Sequence, residues 1–458
     1  MQNRMTFTLK ALAATGATLA ALSAQAAVSA EEAQQLKTTL TPLGGERAGN
    51  KDGTIPAWTG GESKPPAGYK STDRRTDPFA GDKVLYSISA KNMDQYADKL
   101  SDGQKALLKK YPSYRIDVYP TRRTAAAPQF VYDNTFKNAT RASLKDGKSY
   151  PMPVGAYGGP PFPIPKSGIE VVWNHLLRFQ GTSTQVLGGS TWMVTADGKK
   201  IMTVQGEQNI KMPYYDPHGS AEKFDGPYWM TRVVNTGPAI RAGEAIVGRV
   251  NMDESKTQAW VYLTGQRRVR KLPNPNGDTP TPTSAGVMTF DEVNVYAEHP
   301  GYFNWKLVGK KEMLVPYNDI KIFAAPNPEA TMTGQHLNPD YVRWELHRVW
   351  VVDAELAPGK RHSVSKARYY FDEDSWLAVL GDRWDGKGQL WKSLFGLTVV
   401  YPEIPLTDHA LYGFYDLTSG AWFSGPHVTT AGAVGLQQVA SWKDENFTPD
   451  AMVGDQLR

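Results

Sequence analysis

The chain has 458 residues, 51 Lys plus Arg against 46 Asp plus Glu, and no cysteine. A formal charge of +5 over that length is too near balance to argue for a polyanionic partner such as nucleic acid. Without cysteine there are no disulfides, no thiolate metal sites and no thiol to carry a lipid, so packing alone must stabilise the fold.

The first residues read as a targeting segment. Arg4 and Lys10 precede an apolar run from Ala11 to Leu22, which Ala24-Gln25-Ala26 closes. These are the basic region, short apolar region and small-x-small cleavage site of a secretory signal. The apolar run is about a dozen residues, short of the roughly 20 that a membrane helix needs. The expectation is export to the periplasm with cleavage after Ala26, leaving a mature protein without a lipid anchor. Residues 27–458 are expected to form a single α+β domain, with an extended arm and helices over 27–181 and a mainly antiparallel meander over 182–458.

Ser29 with Glu32 has capping-box spacing for a short helix carrying Leu36 and Leu40. Residues 41–81 are rich in Gly, Pro, Lys and Asp and predict a surface arm bearing Trp58. Met93, Tyr96, Ala97 and Leu100 start a helical stripe that a second box, Ser101 with Gln104, continues to Pro112. Residues 128–144 are a weaker helix candidate. A rigid Gly/Pro stretch, Gly155 to Pro165, leads into a helix capped by Ser167 and Glu170, with Ile169, Val172, Trp173, Leu176 and Leu177 on one face. After Gly181 the period becomes two. Strands are predicted over 190–194 and 200–208 around the Asp197-Gly198 turn, then over 243–250, 258–263, 267–272, 287–296, 302–308, 342–355, 366–372 and 376–383, with Asp385 to Gly388 as a further turn. The 13 Trp, 22 Tyr and 15 Phe suit such half-buried pleated surfaces.

Four features bear on chemistry. Glu345 and His347 share a strand face and have the spacing of a base and its orienter; a polar pair on a sheet surface needs the same residues. Asp372-Glu373-Asp374 has the acidity of a calcium site, and also of a hairpin turn. Asn50-Lys51-Asp52-Gly53 opens like a calcium loop but has no closing Glu at the required spacing. Arg267, Arg268, Arg270 and Lys271 form a basic run in which Arg268 and Arg270 share a strand face, suited to a phosphate or anionic headgroup or simply to solvent. The eight histidines form no HExxH motif, and there is no GxSxG elbow and no P-loop. No cofactor and no metal site is predicted.

Several long motifs resemble the proteobacterial domain-of-unknown-function family 1329. They are Leu40-Thr41-Pro42-Leu43-Gly44, Gly53-Thr54-Ile55-Pro56-Ala57-Trp58, Pro161-Phe162-Pro163-Ile164-Pro165, Trp173-Asn174-His175-Leu176-Leu177-Arg178, Tyr262-Leu263-Thr264-Gly265-Gln266-Arg267-Arg268 and Arg343-Trp344-Glu345-Leu346-His347-Arg348. More distantly, the runs Ala259 to Pro273 and Phe290-Asp291-Glu292, with the late acidic and Gly-rich turns, resemble periplasmic lipoprotein-sorting carriers of the LolA and LppX kind. That resemblance implies a strongly curved antiparallel sheet, an unclosed barrel, with helices covering its concave face. It also implies handling of hydrophobic molecules alongside exporters of the resistance-nodulation-division type and outer-membrane proteins.

The leading expectation is therefore a non-enzymatic periplasmic carrier or chaperone that buries a lipid or other hydrophobic molecule. Each methylene moved from water into an apolar hollow contributes about 0.8 kcal/mol. Trp260, Tyr262, Trp344, Leu346 and Trp350 are the expected lining, with the helix over 169–177 as a lid. The alternative is a ligand-free adaptor that touches an exporter or outer-membrane protein through the 41–81 arm and the Pro160 to Pro165 stretch. A hydrolase built on Glu345 and His347 is the third reading.

Overall fold

The computed structural model describes residues 28–70, 75–147, 149–273, 275, 277–429 and 433–454. The signal segment, 1–26, lies outside the described residues. The first strands are short: β1 (Tyr86–Ile88), β2 (Ile116–Val118), β3 (Ser143–Asp146) and β4 (Pro151–Val154). A meander follows as β5 (Ser183–Val194), β6 (Lys200–Lys211), β7 (Pro227–Gly237), β8 (Ala245–Asn251), β9 (Gln258–Leu263) and β10 (Arg268–Lys271). Next come β11 (Phe303–Pro316), β12 (Trp344–Leu356), β13 (Val364–Asp372), β14 (Ala378–Asp385), β15 (Leu390–Tyr401), β16 (Leu406–Asp416), β17 (Trp422–His427) and β18 (Val434–Gln438). The α-helices are α1 (Ala30–Ala33), α2 (Asp102–Lys110), α3 (Gln129–Arg141), α4 (Gly168–Leu176) and α5 (Pro449–Gly454). None of the described helices is long and apolar enough to cross a membrane.

Among the described residues, sixteen strands form one sheet in the order β1-β2-β12-β13-β14-β15-β16-β17-β5-β6-β7-β8-β9-β10, with β11 added on β12 and β18 on β5. Its pairings are antiparallel except the single β2–β12 contact. β10 and β11 do not pair, so the curved sheet is an unclosed barrel, and the chain between them, 272–302, joins its two open edges. This is the α+β architecture expected. β3 and β4 form a separate hairpin.

Local rules explain much of the framework. Ser29 Oγ accepts the Glu32 N–H at 3.1 Å, and the Ser101/Gln104 box closes with bonds of 3.2 and 2.7 Å. Glu170 reaches back to the Ser167 N–H at 3.2 Å. The Asp197-Gly198 turn joins β5 to β6, with Gly198 at φ +87°, where glycine has no Cβ penalty. α4 is buried along almost its whole length and packs on β11 and β12. It is part of the core and does not form a lid.

Two sequence expectations change. The strand predicted over 287–296 is instead a non-strand segment with a single 3₁₀ turn, Phe290–Glu292. Asn294 and Val295 both have positive φ, 53° and 70°, which interrupts an extended ladder and is strained for a β-branched residue. The first part of the 41–81 arm, as far as Trp58, is also not free. Leu43, Ile55 and Trp58 are buried, and the Trp58 indole donates to the Ala125 carbonyl at 3.0 Å. Pro160, Pro161 and Pro163 are buried as well.

Candidate functional site

The acidic turn Asp372-Glu373-Asp374 joins β13 to β14 and binds the arm rather than solvent. Arg123 holds Asp374 through two bonds of 2.8 and 2.7 Å, and Arg348 holds Glu373 at 2.7 Å. The same guanidinium groups donate to arm carbonyls of Glu46 and Ala48. Glu345 and His347 do meet, at 2.9 Å, as their shared face requires. Glu345 is fully buried and also takes the Arg122 N–H at 2.8 Å and Asn318 Nδ2 at 3.0 Å, while Tyr317 stacks on His347 at 3.8 Å. The pair is a satisfied structural network inside the core.

The hollow lies elsewhere, on one face of β5–β9. Antiparallel neighbours directly opposite each other point to the same side. Val186, Gln208, Val233 and Ile246 are successive register partners and form one row across β5, β6, β7 and β8. Thr231, Gly248 and Ala259 form the next. Both rows line a hollow of about 1190 Å³, counted out to its open mouth, with Val204, Trp229 and Val250 adding to its apolar floor. Tyr412, Phe423 and Pro426 close one end. A Cβ on Gly248 would meet only the Thr231 methyl carbon, at 3.3 Å, among the described residues, so the floor there is open.

The opposite wall is the 275–299 strap, which contributes Pro275, Thr281, Thr283, Met288, Phe290, Val293, Ala297 and His299. Buried ion pairs anchor it. Arg383 Nη1 donates to Asp291 at 2.7 Å and Nη2 to the Asp291 carbonyl at 3.0 Å, and Lys392 Nζ lies 2.5 Å from Glu292. Burial alone would raise the Asp291 carboxyl, but Arg383, His362 and Thr289 outweigh it and hold it at about 2. The strap is closed on itself by Glu298, which accepts the N–H groups of Gly277 and His299. Burial, with Asp291 nearby, pushes Glu298 well above the usual carboxylate range. Burial likewise lowers His299, whose Nε2 lies 2.9 Å from the Asn251 carbonyl oxygen. Burial thus disfavours the charged form of both groups at this wall.

Among the described residues, two groups of side chains have metal-ligand types within 4.8 Å of one another: Glu254, Glu298 and His299, and His347, Asp372 and Asp374. Both Glu298 oxygens already accept backbone N–H groups, and both Asp374 oxygens are taken by Arg123. The chain's own donors thus occupy these oxygens.

None of the five expected lining residues borders the large hollow. Trp260 and Tyr262 sit on the far face of β9, in a cluster with Met230, Ala245 and Val247 of the sheet and with Phe447 and Met452. Leu346 is in the main core, and Trp344 borders a separate crevice of about 310 Å³ beside Tyr114 and Phe395. Trp350 stacks on Trp376 at 6.4 Å, with Lys310 over its ring. Alternation separates the two faces of β9 but does not say which one turns inward. The signal available was Gly248, Ala259 and Thr231, the small residues of the other face, which leave room that aromatic residues would fill.

A family model described as protein of unknown function (DUF1329) matches residues 87–453. The uncharacterized protein PA3922 of Pseudomonas aeruginosa is 37% identical over 397 residues, covering 85% of this chain and 86% of its own. Among solved structures, a DUF1329 family protein from Desulfovibrio piger aligns with TM-score 0.39 and 13% identity, over 60% of this chain and 92% of its own. A LolA superfamily protein from Nitrosomonas europaea aligns with TM-score 0.35 and 12% identity, over 63% of this chain and all of its own. With its family model spanning the sheet from β1 to the end of α5, this chain belongs to the DUF1329 family.

Proposed function

We propose that this protein is an exported carrier that shelters a hydrophobic molecule between the β5–β9 floor and the 275–299 strap. The observation that carries the reading is the hollow of about 1190 Å³, apolar at its floor, open at its mouth and bounded on one side by a segment outside the sheet. A mainly apolar lining with a few polar groups is the character that ligand pockets share. Holding a guest requires burial and no bond making. The basic and apolar start of the chain supports a periplasmic setting, and delivery to an exporter or outer-membrane protein is part of the proposal.

Native mass spectrometry after gentle purification, followed by organic extraction, tests it directly. A co-purifying hydrophobic mass, or saturable uptake of a polarity-sensitive apolar probe, is the expected result. Repeated recovery of an empty protein that also leaves the probe in water overturns the reading.

A further inference from the structure

The floor row that begins at Val186 does not stop at Ile246. Ile246 is opposite Val261 on β9, and Val261 is opposite Arg270 on β10. Arg270 therefore ends, on the hollow side of the free edge strand, the row whose members Val186, Gln208, Val233 and Ile246 line the hollow. Two strand spacings of about 4.8 Å put its backbone roughly 10 Å from that of Ile246. Arg268, two residues earlier, shares this face, whereas Lys271 lies opposite Trp260 on the far one. Arg267, Arg268, Arg270 and Lys271 are all exposed, and no described acidic side chain pairs with any of them. Glu207, the carboxylate in the hollow's lining, interacts with Arg232 instead.

We infer that the guest is an amphiphile with an anionic head, its hydrocarbon tail on the β5–β9 floor and its head at Arg268 and Arg270. This rests on the carrier reading and adds the class of ligand. An apolar floor alone takes any greasy molecule. A floor whose row continues past Val261 to guanidinium groups on the same sheet face, with no described acidic partner, favours a phosphate or carboxylate there, because guanidinium pairs such groups through two parallel N–H bonds.

The test is displacement of a bound apolar probe from the full chain by decyl phosphate, decanoate and decanol at physiological salt. For the wild type, both anions are expected to displace the probe about tenfold more strongly than the alcohol, as two solvent-exposed charge contacts allow. Arg268→Gln with Arg270→Gln should erase that gap and leave decanol unchanged. Lys271→Gln, which removes a charge from the far face, should keep the gap. Equal displacement by all three ligands in the wild type overturns the head site while leaving the carrier reading intact. A gap that survives the double variant, or that Lys271→Gln also erases, overturns the assignment to these arginines. Failure of all three ligands to displace a bound probe, or of the probe to bind, removes both readings. The substituted residues are exposed, so loss of folding does not confuse the comparison.

Discussion

Gly248 shows how one side chain decides whether the hollow exists. Leucine there has only the Thr231 methyl group close by and projects into the void. Gly248→Leu is expected to weaken apolar-probe binding at least tenfold in a fluorescence titration, at a stability cost of no more than about 1–3 kcal/mol for the extra packing. A second residue-scale effect concerns protons. Burial holds His427 at about 3, with Ser424 Oγ 2.9 Å from Nε2, and His409 is lowered to about 3 in the same way, with Arg178 adding to it. A histidine lowered by folding contributes its stability above its unfolded value near 6.5, and that contribution is lost as pH falls toward 3, because the unfolded chain takes up a proton that the folded one refuses. Urea unfolding at pH 7 and at pH 4.5 should therefore show a smaller acid loss for His427→Gln than for the wild type. Buried carboxylates with the opposite sign, such as Asp382 at about 7, are common to both proteins and cancel in the comparison. An equal acid loss in both proteins would refute the assignment.

At the scale of elements, the strap and the arm are segments without ladder pairing that buried charge fastens to the sheet. Asp291 is the strap's main anchor, and removing one member of a buried pair leaves the other unpaired. Asp291→Ala should cost about 3–5 kcal/mol by denaturant titration, and Asp291→Leu with Arg383→Met should recover most of it. The arm makes a similar case. Trp58 is buried, and Arg47 sits 5.2 Å from its ring. Trp58→Ala should destabilise the whole protein by about 3–5 kcal/mol; a change under 1 kcal/mol would return the arm to the role of a free surface probe. The docking of Leu43, Ile55 and Trp58 and the buried prolines turn part of the surface that the adaptor reading uses onto the chain's own core, while residues 62–68 remain exposed.

For the whole molecule, β17 pairs with β5, so the two halves of the sheet are continuous. One main core cluster runs from Leu43 to Leu436. We therefore expect the chain to unfold as one unit, with far-ultraviolet and tryptophan signals melting together; two separated transitions would mean that the β5–β10 part stands alone. Much of this architecture is legible in sequence. The capping boxes at Ser101 and Ser167, the Asp197-Gly198 hairpin and the β9 limits are local events, decided by residues within a few positions of one another. β15 and β16 escaped because both faces are buried and no alternation marks them. The 287–296 segment misled because its apolar residues alternate as a strand would, while its fate depends on Arg383 and Lys392, some ninety to a hundred residues away.

The sequence by itself determined the class of the fold, its caps and turns, and the pairing of Glu345 with His347, because each depends on short-range periodicity or spacing. Only the tertiary structure decided which face of β9 turns inward, that the aromatic residues fill the outside of the floor, and that the edges left open by β10 and β11 are joined by a strap. Those outcomes depend on the curvature and closure of a sixteen-stranded sheet, a global property that alternation along one strand does not encode.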